Sequence, residues 1–242
     1  YDERQGASQH DVLRVRFVEK GSTVEGEDWG WHRGGMSALS EHVMYPPLEV
    51  HGVPFSPVIR LPEGYEVYDF TAGYDPARTL ASPYGIGRYD EHRPGMYLGD
   101  QFIEGQRNVH VGIDIAAPVG EAVHSVYAGT IFALRDNALP YDYGPTLITR
   151  HTWLGQGVFA LHGHLSRECL SRWSPGDSFE AGVVLAEVGA REVNGGWNPH
   201  LHFQLCLFEP ETCDLPGAVS AEDRPWALTA FPDPRLVLGP LY

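Results

Sequence analysis

Apolar and polar positions alternate over short distances along most of the chain, and turn-forming residues break each run after four to ten positions. VHVGIDIAAP (109–118), AVHSVYAGTIFAL (122–134), PTLITRH (145–151), GVFALHGHL (157–165), VVLAEVGA (183–190) and HLHFQLCLF (200–208) are of strand length, and Gly, Pro and Asn separate them. Helical period over three turns is nearly absent, and SRECLSRW (166–173) is the best short helix candidate. The pattern predicts a mainly β fold with an antiparallel sheet body over roughly residues 100–210. Upstream, VLRVRFV (12–18) reads as a strand with its arginines on one face, and YEVYDF (65–70) as another. Between them, residues 21–64 are rich in Gly, Pro and Glu, which predicts an irregular extension packed on the main body. ASPYGIGRYDEHRPG (81–95) carries many turn residues and reads as a loop. Its GIGRYD lacks the third glycine and the following helix of a dinucleotide fingerprint. The expected division is an N-terminal extension over 1–65 and one domain over 66–242, with its motif core at 108–210.

Composition narrows the partners. A chain of 242 residues with 28 Gly, 19 Pro and a 43% hydrophobic share suits a turn-rich globular domain. It holds no run of 18 apolar residues, so no transmembrane segment is expected. The opening YDERQGASQHD has no apolar stretch of the kind a signal peptide carries, so such a peptide is expected to be absent or already removed. A formal charge of −15 argues against nucleic acid or an anionic membrane as the main partner, since both need a basic footprint. Lys20 is the sole lysine, which disfavours Schiff-base chemistry. Cys169, Cys206 and Cys213 form no CxxC pair. Reduced thiols are expected, with Cys206–Cys213 the one conceivable bridge.

Histidine changes the picture. In PHLHFQL (199–205), His200 and His202 fall on one face of a strand, roughly 6.6 Å apart along the chain, while Leu201 and Phe203 face a core. Two imidazoles side by side fit a metal, a proton transfer or both, against the plainer reading of a solvated strand face. His110 stands four residues before Asp114 in HVGID, and His162 and His164 flank Gly163 in LHGHL. On a straight strand His110 and Asp114 would lie about 13 Å apart, too far for one ion. Gly112 between them lets the backbone bend, so HxGxD makes sense as a curled strand end with both side chains on one metal, and HLH supplies a third ligand. Three protein ligands leave a fourth position for water, the mark of a catalytic rather than a structural zinc. Neither HExxH nor GxSxG occurs, which sets aside the zincin and α/β-hydrolase readings. His124 and His151 lie on predicted strands and are read as structural or surface residues.

HVGID, LHGHL and PHLHF, in that order, resemble the motifs of the lysostaphin- and LytM-type zinc endopeptidases, which cut peptide cross-links in bacterial cell walls. GTIFAL, PTLITRH and SPGDSFEAGVVLAEVG between them are also similar to segments of that family. The resemblance implies a small antiparallel β body with a groove over one zinc ion per chain. It implies His110, Asp114 and His202 as zinc ligands, with His164 and His200 as catalytic histidines that do not ligate. The middle motif departs from the family in carrying His162 where a tyrosine is usual, so His162 either packs or lines the substrate groove. Trp197 in REVNGGWNP (191–199) is a further groove candidate. That loop, with DNALPYDYGPT (136–146) and DPRLVLG (233–239), is similar to a subgroup fused to cytoplasmic aminotransferase-type enzymes. The implied activity is zinc-dependent hydrolysis of peptide bonds, with a peptide or peptidoglycan stem peptide as substrate. The alternatives are hydrolysis of a small cytosolic amide and a non-catalytic binding domain of the same fold. Localisation follows the substrate: cell envelope or secreted for peptidoglycan, cytoplasmic for the aminotransferase-fused subgroup.

Overall fold

The computed structural model describes residues 43–75, 81–98, 102 and 106–242. The strand proposed at 12–18 lies outside them. An eight-stranded sheet forms the centre, in the order β1 (Glu66–Val67), β2 (Gly85–Gly87), β5 (Ile113–Ala116), β12 (His200–Cys206), β9 (Gln156–Gly163), β8 (Gly144–Trp153), β7 (Gly129–Asn137) and β10 (Ser178–Phe179). All its pairs are antiparallel except β1 with β2. β3 (Glu91–His92), β4 (Val109–His110) and β13 (Ala218–Val219) make a three-stranded sheet, and β6 (Ala122–His124) pairs with β11 (Val184–Glu187). The protein is mainly β, as the alternation predicts. No helix among the described residues is long and apolar enough to cross a membrane.

Alternation sorts the side chains of the central sheet into two cores. Ile113, Ile115, Leu147, Val158, Ala160, Leu201, Phe203 and Leu205 bury one face. On the other face Ile148, Phe159, Leu161 and Cys206 pack with Val109, Val111 and Phe231. Leu48, Val58 and Ile59 from the extension are buried in the first core, so residues 48–59 are integral to it. Two-state pairing of apolar and polar faces along β12 leaves His200, His202 and Gln204 together on the side away from Phe203. Cys169, Cys206 and Cys213 are buried free thiols.

Several elements differ in detail from the sequence reading. The 65–70 run pairs over only two residues, and the 166–173 segment makes a single turn, α1 (Cys169–Arg172). Two short helices, α2 (Arg224–Ala230) and α3 (Arg235–Leu238), follow near the C-terminus. The supposed loop at 81–95 contributes β2 and β3. Its glycines are there for clearance, because a Cβ on Gly85 would overlap the Tyr68 ring and one on Gly87 would come within 2.8 Å of the Arg93 guanidinium.

Candidate metal centre and groove

His110 and Asp114 do not share one curled strand. His110 ends β4 in the small sheet and Asp114 lies in β5 of the large one. The chain crosses between sheets at Val111 and Gly112, and β12 pairs with β5 so that His202 stands opposite Asp114. Gly112 matters here through its missing side chain rather than through a bend. A Cβ there would overlap Cε1 of His202 and lie 2.6 Å from its Nε2. Gly112→Ala is therefore expected to push the His202 ring out of place, costing about 1–3 kcal/mol of stability as overpacking does. It should also weaken metal binding, and a titration showing unchanged affinity would contradict this role for Gly112.

The three side chains form a nearly equilateral triangle of donor atoms. Nε2 of His110 is 3.1 Å from Nδ1 of His202 and 3.2 Å from Oδ1 of Asp114, and the third edge is 3.1 Å. All three ligand atoms fall within the mutual reach of a single ion. For bonds near 2.0–2.1 Å, a tetrahedral zinc needs ligand edges of about 3.3 Å, close to what is present. Outer partners decide which lone pairs face inward. Nδ1–H of His110 donates to the carbonyl of Arg88 at 2.9 Å, so Nε2 is left bare. The Gln204 amide donates to the carbonyl of Pro216, which turns its Oε1 toward His202. Nε2–H of His202 then donates to Oε1 at 2.9 Å, leaving Nδ1 bare. Burial keeps His110 neutral, with its pKa lowered to about 4, and Arg93 adds to the effect. Two bare nitrogens and a carboxylate oxygen at about 3 Å repel one another, and a cation at their centre relieves that.

His200 and His164 stand beside this triangle. Their rings lie 4.2 Å apart between centroids, and Nε2 of His200 is 3.8 Å from Oδ1 of Asp114. Each ring is held through Nδ1–H by the loop at 191–199: His164 donates to the carbonyl of Asn194 at 2.9 Å, and His200 to that of Asn198 at 2.6 Å. Their Nε2 atoms are accordingly the unprotonated ones. Burial lowers the pKa of both, well below the usual histidine value for His164, where His200 and His202 contribute next. The loop is locked in place by Gly195, which has φ of +83° and whose missing Cβ would overlap the carbonyl of Asp142.

The triangle opens into a cavity of about 80 Å³ walled by Tyr97, Tyr143 and Trp197. A wider groove of about 530 Å³, lined by Tyr68, Phe70 and Tyr74, meets it at Asp114, Trp197 and His200. Trp197 thus faces both. Asp214, which the sequence reading passed over, also lines the cavity, and burial, with Asp142 second, raises its pKa to about 7. Tyr143 was missed as well; its buried ring packs against both His164 and His202, and its hydroxyl donates to the carbonyl of Leu215.

His162 does not line this groove. It is 1% exposed and points into the first core, edge-on to Phe203 at 5.2 Å. The physical reason is His164, whose φ of +62° breaks the strand alternation that would have put 162 and 164 on one face. Neither His162 nitrogen has a hydrogen-bond partner of normal geometry, and burial lowers its pKa to about 3, with His151 second. Because the folded value lies below the unfolded one of about 6.5, the unfolded chain binds the extra proton between them. Stability is full above pH 6.5 and falls as pH drops toward 3. His162→Leu is expected to flatten the stability curve by about 2 kcal/mol between pH 7 and pH 5. Denaturant titrations with equal slopes for both proteins would count against it.

Comparison with known proteins places this segment. Residues 108–211 match peptidase family M23. The matched stretch holds the triangle and both neighbouring histidines. No curated protein sequence matches the chain significantly. Among solved structures, the catalytic domain of the prophage-encoded M23 protein EnpA from Enterococcus faecalis is similar at 24% identity and a TM-score of 0.40, covering 60% of this chain and 95% of that one. The catalytic domain of the antimicrobial peptidase lysostaphin from Staphylococcus simulans is similar at 19% identity and a TM-score of 0.40, over 60% of this chain and 92% of that one. A zinc-containing peptidase from Vibrio cholerae is similar at 24% identity and a TM-score of 0.37, over 58% of this chain and 35% of that one.

Proposed function

We propose that the M23 domain hydrolyses peptide bonds with one zinc ion held by His110, Asp114 and His202, and that short peptides of the peptidoglycan cross-link type are its substrates. The observation that carries the reading is the triangle of inward-facing lone pairs, with edges of 3.1–3.2 Å, beside two histidines whose Nε2 atoms are bare. Zinc bound there supplies a Lewis acid for the scissile carbonyl and lowers the pKa of a water toward about 7. With no glutamate of an HExxH motif available, His164 and His200 do the proton work. One accepts the proton of the attacking water at Nε2 and delivers it to the leaving amine, and the other, its Nε2 also bare, accepts a hydrogen bond from the water's remaining O–H and orients it. Neutral rings at pH 7 suit the accepting role. The loop carbonyls of Asn194 and Asn198 keep each ring from rotating its bare nitrogen away from the groove.

The narrow cavity between Tyr97, Tyr143 and Trp197 favours glycine or alanine next to the scissile bond over large side chains. Digestion of purified sacculi and of short glycine- and alanine-containing peptides, with and without a chelator, tests the proposal. Chelator-sensitive release of peptide fragments is the expected result. Turnover of small amides with intact sacculi would replace the peptidoglycan reading by that of a small-amide hydrolase. Inertness toward all of these with zinc bound would leave a binding domain.

A further inference from the structure

The segment 85–95 lies outside the family match, and the metal reading above leaves it without a role. It contains a fully buried arginine. Arg93 is 1% exposed, and its Nη1 donates to Oδ2 of Asp114 at 2.6 Å. Its Nε donates to Oε2 of Glu91 at 2.9 Å, Nη1 also reaches the Tyr97 hydroxyl, and Nη2 donates to the carbonyl of Arg88. That carbonyl is the one that takes the Nδ1 proton of His110. Two of the three inner side chains therefore hang on the same short stretch of chain. Asp114 turns Oδ1 toward both histidines while Oδ2 is occupied by the guanidinium.

We propose that Arg93, paired with Glu91, is a positioning residue that presents Asp114 to the metal through one oxygen alone. The inference rests on the metal reading given above and adds the outer residues that shape it. A free carboxylate can rotate or bind through both oxygens; a carboxylate with one oxygen tied to a planar two-pronged donor does neither. The fork is needed because Arg93 must hold Glu91 and Asp114 at once, and a lysine ammonium is a point charge that cannot span both. Glu91 has a second task. A lone arginine on the far oxygen of the ligand carboxylate repels a dication, and the buried Glu91 carboxylate, with a side chain 3% exposed, cancels that charge. Arg88 closes the network by pairing its own guanidinium with Glu91 at 2.7 Å and Asp69 at 2.8 Å.

The test measures zinc and cobalt(II) dissociation constants by chelator competition for the wild type, Arg93→Lys and Glu91→Gln, in full-length protein checked for native circular dichroism. Both variants should bind zinc about 10- to 100-fold more weakly, the range for outer-shell substitutions. Arg93→Lys should also change the visible absorption of bound cobalt(II), because the released Oδ2 alters the coordination number. Affinities within twofold of wild type in a folded variant, or a cobalt spectrum identical to wild type in Arg93→Lys, would overturn the assignment. If Arg93→Lys does not fold, Glu91→Gln, an isosteric change, decides on affinity alone. A wild type that binds neither ion removes the metal reading itself and this inference with it, an outcome distinct from wild-type binding with unaffected variants.

Discussion

His202→Ala is expected to purify without zinc and to hydrolyse no peptide. His202 is the hinge of the triangle: it stands opposite Asp114 across the β5–β12 pair, touches His110 through a 3.1 Å contact, and is itself oriented by Gln204. Removing it leaves two donors, and a divalent ion held by two side chains exchanges with solvent far more readily than one held by three. The loss should exceed the 10- to 100-fold typical of outer-shell changes. His110→Ala and Asp114→Ala should behave alike, because each removes one corner of the same figure. Elemental analysis after dialysis against metal-free buffer is the direct measurement. One equivalent of zinc retained in any of the three would mean that the ion, if bound, sits elsewhere. Circular dichroism separates metal loss from unfolding.

His164→Ala and His200→Ala should give the opposite combination: zinc near one per chain and turnover lowered by about 10²–10⁴-fold, the range for a lost general acid or base. Neither ring is a corner of the triangle, and both are anchored by backbone carbonyls of the same loop. Since their rings are in contact and both act on the same water in the proposed reaction, the double variant should be little slower than the slower single one. Multiplying losses would instead mean two independent roles. A single variant with wild-type kcat would strip that histidine of its part in the reaction. The kcat and KM values should be read separately, because Trp197 packs 6.5 Å from the His164 ring and a loosened loop would raise KM first.

Several features of this protein are legible without coordinates because they depend on local rules. The side-chain period of two along HLHFQL puts both histidines on one face and Leu201 and Phe203 on the other, and the sheet keeps that division. The β character of 109–208 is equally local, since each strand announces itself by alternation and is closed by Gly, Pro or Asn. The glycines of GIGRYD are different. As punctuation they signal a loop, yet they form a strand because Tyr68 and Arg93 occupy the space their side chains would have filled. Nothing within the segment announces that approach.

The role of His162 shows the limit most clearly. Its spacing from His164 predicts a shared face, and one left-handed residue at the strand end cancels the prediction. Arg93 and Glu91 illustrate the same point from the other side: as sequence they are charged residues in a turn-rich stretch, and only folding buries them together and brings Arg93 onto Asp114. The residue types, their order and the shared face of His200 and His202 belong to the sequence alone, because alternation and residue chemistry act over a few positions. Which lone pair each presents, how far apart they stand and what holds them there belong to the tertiary structure. Those properties depend on carbonyls and side chains from strands brought together by packing across nearly a hundred residues, which no local pattern encodes.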